Sequence, residues 1–298
     1  MLLPRFNYSS PKTIEEALSL LSHYGNKAKV LAGGTDLLVN MKKKLLSPEQ
    51  IVSLNRIEGL KDISFQKGKG FFIGPLCTVS HLSQSKIIQE KISPLAQGAG
   101  RLGSPLVRNR ATIGGNLVTA RPASDLAPPL LVLGAKLVLK GAEKEYTIPL
   151  ENFFRGPGKT NLPENEILYQ IYIPEYEYPT AGSYIKLGTR KALEISLVNV
   201  ASFLEIDPKG VIKSARVALG AVAPIPLSSS SAAKVLIGVK PKNPEDPVFK
   251  EAGRLAAQDS KPITDHRGTA DYRRAMVELL TFRTLQAAYT GVLKKIQE

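Results

Sequence analysis

Two glycine-centred segments carry the most chemically specific residue pattern in this 298-residue sequence: Gly33-Gly34-Thr35-Asp36 and, further on, Thr112-Ile113-Gly114-Gly115-Asn116. Adjacent glycines let consecutive backbone N–H groups point to one side, at backbone angles a β-carbon would obstruct, facing the positive end of a following helix. That arrangement cradles a phosphate. No Gly-Lys-Ser/Thr follows Gly34, which excludes a nucleoside-triphosphatase loop. A phosphate would repel Asp36, so this residue is expected to cap the helix amides or order the loop. Taken singly, each segment is also simply a tight turn. Two hydroxyl-flanked glycine pairs in one domain are what an extended dinucleotide held by backbone amides requires.

Other chemistry-bearing residues are sparse. Gly98-Ala99-Gly100-Arg101-Leu102-Gly103 matches the nicotinamide-dinucleotide fingerprint, with Asp125 downstream, but the context is wrong. Ser93-Pro94-Leu95-Ala96 before it reads as a helix start, and Ser104-Pro105 forbids a helix directly after it. The match is therefore read as a helix end rich in small residues. His23, His81 and His266 show no metal-ligand spacing, and there is neither a G-x-S-x-G elbow nor an H-E-x-x-H motif. The lone cysteine, Cys77, excludes an intrachain disulfide, a Cys-ligated zinc site and a self-contained iron–sulfur cluster. No catalytic or metal-ligating residue is nominated, so any chemistry here is expected to belong to a bound organic cofactor.

The elements that must position these segments follow from patterning. Thr13-Ile14-Glu15-Glu16 is a capping box, Thr13 covering the Glu16 amide and Glu16 reaching back, for a helix that ends at Gly25. Lys29 to Ala32 reads as a strand running into Gly33-Gly34, with a helical pattern from Leu37 to Lys44. Short strands are expected at Ile51–Leu54, Ile63–Gln66 and Phe71–Ile73, and loops are expected to dominate from Ser93 onward. Four runs, Ile167–Ile173, Gly182–Gly188, Leu197–Ile206 and Val211–Gly220, suggest an antiparallel sheet, Ser228 to Ser231 a solvated turn, and two terminal helices close the chain. The length suits two or three domains, with a boundary near Tyr176.

The formal charge of +14 invites a nucleic-acid partner, but there is no basic run interleaved with aromatics and Trp is absent, so that reading is set aside. The stretch from Lys91 to Ser124 holds five basic residues and no acidic one. The N-terminus lacks the basic and long apolar regions of a secretory signal, and no apolar run reaches the roughly 20 residues of a membrane span, so a cytoplasmic location is expected.

Leu31-Ala32-Gly33-Gly34-Thr35-Asp36-Leu37, Ala111-Thr112-Ile113-Gly114-Gly115-Asn116 and Ser124-Asp125-Leu126-Ala127-Pro128, in that order, resemble the FAD-binding medium subunit of the molybdenum hydroxylases, the xanthine dehydrogenase and aerobic carbon monoxide dehydrogenase family. The segment from Gly182 to Ala192 and the closing helices resemble that family's C-terminal flavoprotein domain, so the likeness covers nearly the whole chain. It implies an α+β fold: a two-part FAD-binding domain of the vanillyl-alcohol-oxidase/PCMH type over residues 1–176, with parts 1–58 and 59–176. A C-terminal antiparallel sheet with helices would follow over 177–298.

The resemblance also implies roles. Val30, Leu31, Ala32, Gly33, Gly34, Thr35, Asp36 and Leu37 would wrap the FAD pyrophosphate. Thr112, Ile113, Gly114, Gly115 and Asn116 would face the diphosphate and ribityl chain. Thr119 and Asp125 match cofactor-bonding positions, Leu168 an apolar residue near the ring system, and Lys186 a lysine at the flavin, where a cation suits the anionic character of the reduced ring. Leu102 stands where relatives place a bulky apolar or aromatic side chain beside the isoalloxazine. The implied work is electron transfer through FAD, to NAD, a quinone or another acceptor. A large molybdopterin subunit would hold the molybdenum cofactor and a small subunit the 2Fe-2S clusters, as a dimer of heterotrimers. A stand-alone flavin oxidase or reductase on the same fold is the alternative, and it would need acid–base residues that the sequence does not nominate.

Overall fold

The computed structural model describes residues 2–190 and 193–297; Lys191 and Ala192, the last two residues of the segment resembling the flavoprotein domain, lie outside the described residues. The chain begins with β1 (Asn7–Ser9), α1 (Ile14–Tyr24), β2 (Ala28–Leu31), α2 (Leu37–Lys42) and β3 (Gln50–Ser53). These strands form a three-stranded sheet in the order β1-β3-β2, with β1 and β2 both parallel to β3. The Thr13 hydroxyl accepts from the Glu16 amide as the capping box requires, while Glu16 reaches back to the Lys12 N–H. Ala17, Leu18 and Leu21 of α1 pack with Val52 and Leu54 in a small core of their own.

Next come β4 (Ile63–Gln66), β5 (Gly70–Ile73), α3 (Val79–Gln84), α4 (Lys86–Lys91), α5 (Ser93–Arg101), α6 (Pro105–Arg108), α7 (Ile113–Thr119), α8 (Ala127–Val132), β6 (Lys136–Lys140), β7 (Glu145–Pro149), β8 (Phe154–Gly156), β9 (Lys159–Thr160) and β10 (Ile167–Pro174). The expectation that loops dominate after Ser93 is corrected: four short helices occupy this stretch. The glycines and prolines that look like breakers stand at helix starts. Pro94, Pro105 and Pro128 occupy first-turn positions, where a missing N–H costs nothing, and Ser104 and Thr112 cap α6 and α7. The fingerprint-like Gly98 and Gly100 lie inside α5 and not in a strand-to-helix turn.

The five-stranded sheet runs β4-β5-β10-β6-β7 and is antiparallel throughout. β10, expected in one sheet with the three later runs, belongs here instead because both its flanks are taken by β5 and β6. β11 (Thr180–Leu187), β12 (Val198–Ile206), β13 (Ile212–Gly220) and β14 (Leu227–Ser228) make a separate antiparallel sheet, followed by α9 (Ser230–Lys234), α10 (Pro247–Asp259) and α11 (Ala270–Gln297). Ser229 and Ser231 are no solvated turn: Ser229 caps α9 and both hydroxyls donate to Asp259. Val277, Leu280, Leu285, Ala288 and Val292 of α11 pack in one core with Val198, Val200 and Leu204 of β12, each large apolar side chain contributing about 1.5–3 kcal/mol.

At the start of α11, Arg273 is 1% exposed and pairs with Asp265, which also binds Arg267. Arg267 first, and then Arg273, hold the Asp265 carboxyl well below the ordinary carboxylate value. A carboxyl lowered on folding stabilises the protein above its unfolded value of about 3.9 and loses that contribution as pH falls through the folded value. Asp265→Asn is therefore expected to lower the melting temperature at pH 7 and to differ less from the parent as the medium approaches pH 2, in thermal melts taken across that range.

Candidate functional site

β2 delivers the first glycine segment. It ends at Leu31, whose carbonyl accepts from the Leu54 N–H at 3.1 Å, and Gly34 turns the chain at φ +75°, a region that strains residues bearing a β-carbon. α2 then starts at Leu37, with the Leu38 N–H on the Gly34 carbonyl at 3.1 Å. Among the described residues, no acceptor takes the N–H groups of Gly33, Gly34, Thr35 or Asp36. Asp36 does not cap α2 with its side chain, contrary to expectation; its exposed carboxylate stands on the rim of the cleft described below. Gly33 has a further reason to be glycine. A β-carbon there would stand 2.0 Å from the Arg110 carbonyl oxygen, so the two walls of the cleft touch at this residue.

The second segment works differently from the first. Thr112 caps α7 through the Gly115 N–H at 3.1 Å, so Gly114 and Gly115 form a first helical turn and not a strand-to-helix turn. Its amides are already engaged: Ile113 N–H on the Cys77 carbonyl (3.0 Å), Gly114 N–H on Pro75 (2.9 Å) and Asn116 N–H on Thr112 (3.0 Å). The segment therefore offers side chains, where the first offers amides. Gly114 sits against Pro75, where an added β-carbon would lie 2.6 Å from the proline Cβ and 2.8 Å from its oxygen. Gly114→Ala is expected to destabilise the chain by about 1–3 kcal/mol in denaturant unfolding, the ordinary cost of overpacking.

Between the two segments lies an open cleft of about 430 Å³, within the ~300–1,000 Å³ of a small-molecule site. Val30, Ala32, Gly33, Gly34, Thr35, Asp36 and Leu37 form one wall; Thr112, Gly114, Gly115, Asn116 and Thr119 form the other; Leu102 and Leu168 line it as well. Leu31 and Ile113, also expected at the ligand, lie outside this lining, Ile113 fully buried. Leu168 enters at a register shift between Leu168 and Gln170 in β10, the irregularity by which a strand re-aims a side chain. The acid-free stretch reaches the same wall through Arg110 and through Arg108, which donates to the Leu102 carbonyl at 3.0 Å.

Sequence reasoning missed the far end of the cleft, where Leu162, Glu164, Glu166 and Ile167 face Lys29, and the Lys29–Glu164 ion pair spans the walls at 3.8 Å. The signal was the Pro163 connector before β10, which pattern alone reads only as a link. Glu166, 6% exposed, accepts from the Tyr146 hydroxyl at 2.7 Å; burial first, and then Glu166, push that phenol up to about 12.

Asp125 and Lys186 lie outside the lining, in a buried cluster beside it. The Lys186 ammonium contacts Asp125 Oδ2 at 2.8 Å, the Glu194 carbonyl at 3.2 Å and the Arg101 carbonyl at 3.3 Å, which uses all three of its protons. Tyr184 and Ser196 hydroxyls donate to Asp125 Oδ1. Burial raises the Asp125 carboxyl, with Lys186 pulling the other way. Through Arg101, the cluster sits directly behind Leu102. Among the described residues no group of His, Cys, Asp and Glu could hold a metal, and no helix is long and apolar enough to cross a membrane.

The free amides of the first segment, the side chains of the second and the apolar lining of Val30, Leu102 and Leu168 all fit a flavin dinucleotide. The profile of the FAD binding domain in molybdopterin dehydrogenase matches residues 4–176, and that of the CO dehydrogenase flavoprotein C-terminal domain matches residues 183–288. The chain belongs to this family of FAD-binding subunits. It is 34% identical over 293 residues to the carbon monoxide dehydrogenase medium chain of Hydrogenophaga pseudoflava, covering 97% of this chain and 99% of that one. With the glyceraldehyde dehydrogenase medium chain of Sulfolobus acidocaldarius the identity is 31% over 288 residues, covering 96% and 99%. The solved carbon monoxide dehydrogenase of Hydrogenophaga pseudoflava superposes with a TM-score of 0.91 at 33% identity, over 98% of this chain and 100% of that one. Quinoline 2-oxidoreductase from Pseudomonas putida 86 gives 0.89 at 25% identity, again over 98% and 100%. As an FAD-binding subunit of a molybdenum hydroxylase-type dehydrogenase, the chain is an oxidoreductase component whose fold is the α+β arrangement expected from sequence.

Proposed function

We propose that this chain is the electron-transfer subunit of a multisubunit molybdenum hydroxylase, receiving electrons from iron–sulfur clusters on a partner and delivering them to NAD, a quinone or another acceptor. The observation that carries the reading is the row of free amides from Gly33 to Asp36 at the edge of an open cleft whose other wall is the second glycine segment, in a chain with no metal-binding cluster among its described residues. The isoalloxazine of FAD supplies the chemistry when bound, since it accepts and releases electrons one or two at a time.

The chain's own residues bind, orient and shield. Amides of Gly33, Gly34, Thr35 and Asp36 take phosphate oxygens at the α2 N-terminus. Thr112, Gly115, Asn116 and Thr119 meet the diphosphate and ribityl chain from the opposite wall. Val30, Ala32, Leu37, Leu102 and Leu168 pack the apolar parts and exclude water, with Leu31 and Ile113 holding the two segments in place. Asp125 and Lys186 set the charge behind Leu102. We extend the reading to units at 1–58, 59–176 and 177–298, supported by one hydrophobic cluster centred on residues 14–57 and another wholly within residues 197–292. It also extends to a large molybdopterin subunit and a small iron–sulfur subunit in a dimer of heterotrimers, supported by relatives named as medium chains. The buried free thiol of Cys77 suits a cytoplasmic location.

Purification of the tagged chain from its native host tests this. Co-elution with a molybdenum-containing and an iron–sulfur subunit is expected, with acceptor reduction lost on stripping FAD and restored on adding it. A chain that elutes alone and reduces acceptors with its own substrate contradicts the reading.

A further inference from the structure

The hydrogen-bond pattern around Ser124 reaches from the C-terminal sheet to the cleft. The Ser124 hydroxyl, in a residue 4% exposed, accepts the Ala127 N–H at 3.1 Å and lies 2.6 Å from Asn116 Oδ1. The 2.6 Å separation is that of an O–H···O bond, with the Ser124 hydroxyl donating its proton to the Asn116 oxygen. The bond fixes which end of the carboxamide is which: Oδ1 is held by Ser124, and Nδ2, without a partner among the described residues, is left as the donor of a cleft-lining residue.

Ser124 is itself held from the C-terminal sheet. Asn199, on β12 and fully buried, donates through Nδ2 to the Ser124 carbonyl at 3.2 Å and to Ser196 at 3.2 Å. Its own Oδ1 has no partner among the described residues and stands where a β-carbon on Gly220 would lie 2.1 Å away. Two residues before Ser124, the Pro122 carbonyl accepts from the Ala221 N–H at 2.8 Å, and Ala221 holds φ +64°, a backbone state that alanine adopts only at a cost. The Arg273 guanidinium in turn donates to the Ala221 carbonyl at 3.3 Å. The loop of residues 121–125 is thus gripped from β12 and from the end of β13, and it passes that grip to the cleft through one hydroxyl.

We propose that Ser124 and Asn199 are positioning residues for the cofactor, acting through Asn116: the C-terminal sheet orients the Asn116 amide so that Nδ2 is presented to the oxygens of the bound dinucleotide. The inference rests on the FAD reading of the cleft. Neither positioning residue touches the ligand; each removes the freedom of a group that does.

The test is a double-mutant cycle on FAD affinity in the full chain, or in its assembled complex, read by flavin fluorescence. Ser124→Ala and Asn116→Ala are each expected to raise the dissociation constant about tenfold, the worth of one oriented hydrogen bond. In the Asn116→Ala background, Ser124→Ala should add less than about twofold, because its route to the ligand is gone. Ser124→Thr, which keeps the hydroxyl, should restore binding. Should Ser124→Ala fold poorly through loss of its bond to Ala127, Asn199→Ala carries the same cycle, with melting of the apo chain reported beside it. Losses that multiply independently, or a Ser124→Thr that fails to rescue while folding normally, overturn the proposal. A parent chain that binds no FAD in any assembly overturns the reading beneath it, a separate result.

Discussion

Gly33→Val yields a chain that folds and retains no FAD. The substituted β-carbon would lie 2.0 Å from the Arg110 oxygen and 2.8 Å from its carbonyl carbon, both backbone atoms with little room to yield. Relief comes by moving the first segment away from the wall that carries α7. Each wall belongs to a separately packed cluster, Leu21 and Val52 on one side and Ile113 and Leu117 on the other, so both cores survive the shift. What is lost is the closure between them. Overpacking of this kind costs about 1–3 kcal/mol, and when the cost falls only on the closed cleft it becomes a ten- to hundredfold loss of affinity, roughly. The free amides of Gly33 and Gly34 are displaced by the same movement, which takes the loss further. The flavin-to-protein ratio of the purified variant, with melting of the apo chain as control, checks this; unchanged flavin content would refute the placement of the first segment against the ligand.

Lys186→Met produces the largest stability change expected for a single side chain. Lys186 and Asp125 side chains are 4% and 7% exposed, so removing the ammonium leaves a carboxylate buried with only hydroxyl donors. Breaking a buried pair from one side costs about 3–5 kcal/mol, which in a chain of this size lowers the melting temperature by roughly 10 °C. The pH dependence has a definite sign. Burial already raises the Asp125 carboxyl against the pull of Lys186, and losing Lys186 raises it further. A carboxyl that is raised on folding binds its proton more tightly in the folded state, so the penalty is absent below the unfolded value of about 3.9, grows as pH climbs from there toward the folded value and is constant above it. The deficit of Lys186→Met against the parent is therefore greatest near pH 8 and shrinks toward pH 5 in paired thermal melts. A deficit that is flat across this range contradicts an ionised Asp125–Lys186 pair.

The first glycine segment was legible because its information is local: an apolar strand, two glycines and a helical run leave few conformations, and the structure has β2, Gly34 at positive φ, and α2 in that order. The second lines the same cleft, as expected, but was misread as a shape. Thr112 and Gly114 look like turn residues, whereas Gly114 is glycine because Pro75, distant in sequence, packs against it and takes its amide. That contact is tertiary, and no local pattern encodes it. The same limit explains the prolines from Ser93 to Pro129, which punctuate a string of short helices by occupying their first turns. β10 has the alternation of the three strands after it, so only its partners β5 and β6 reveal its sheet. Asp125 and Lys186 are far apart in sequence with no motif joining them; their pairing is visible only once β11 lies against the loop after α7. The acid-free basic segment braces the cleft: the Arg110 carbonyl meets Gly33, and Arg108 holds the Leu102 carbonyl.

The central claim, that the cleft between Gly33 and Asn116 holds FAD, is tested most directly by the visible absorbance spectrum of the purified protein, with the released flavin identified after denaturation. A flavin spectrum with one FAD per chain, directly or after reconstitution in its assembled complex, is the expected result. A protein that stays colourless and leaves added FAD unbound, while properly folded and assembled, contradicts it.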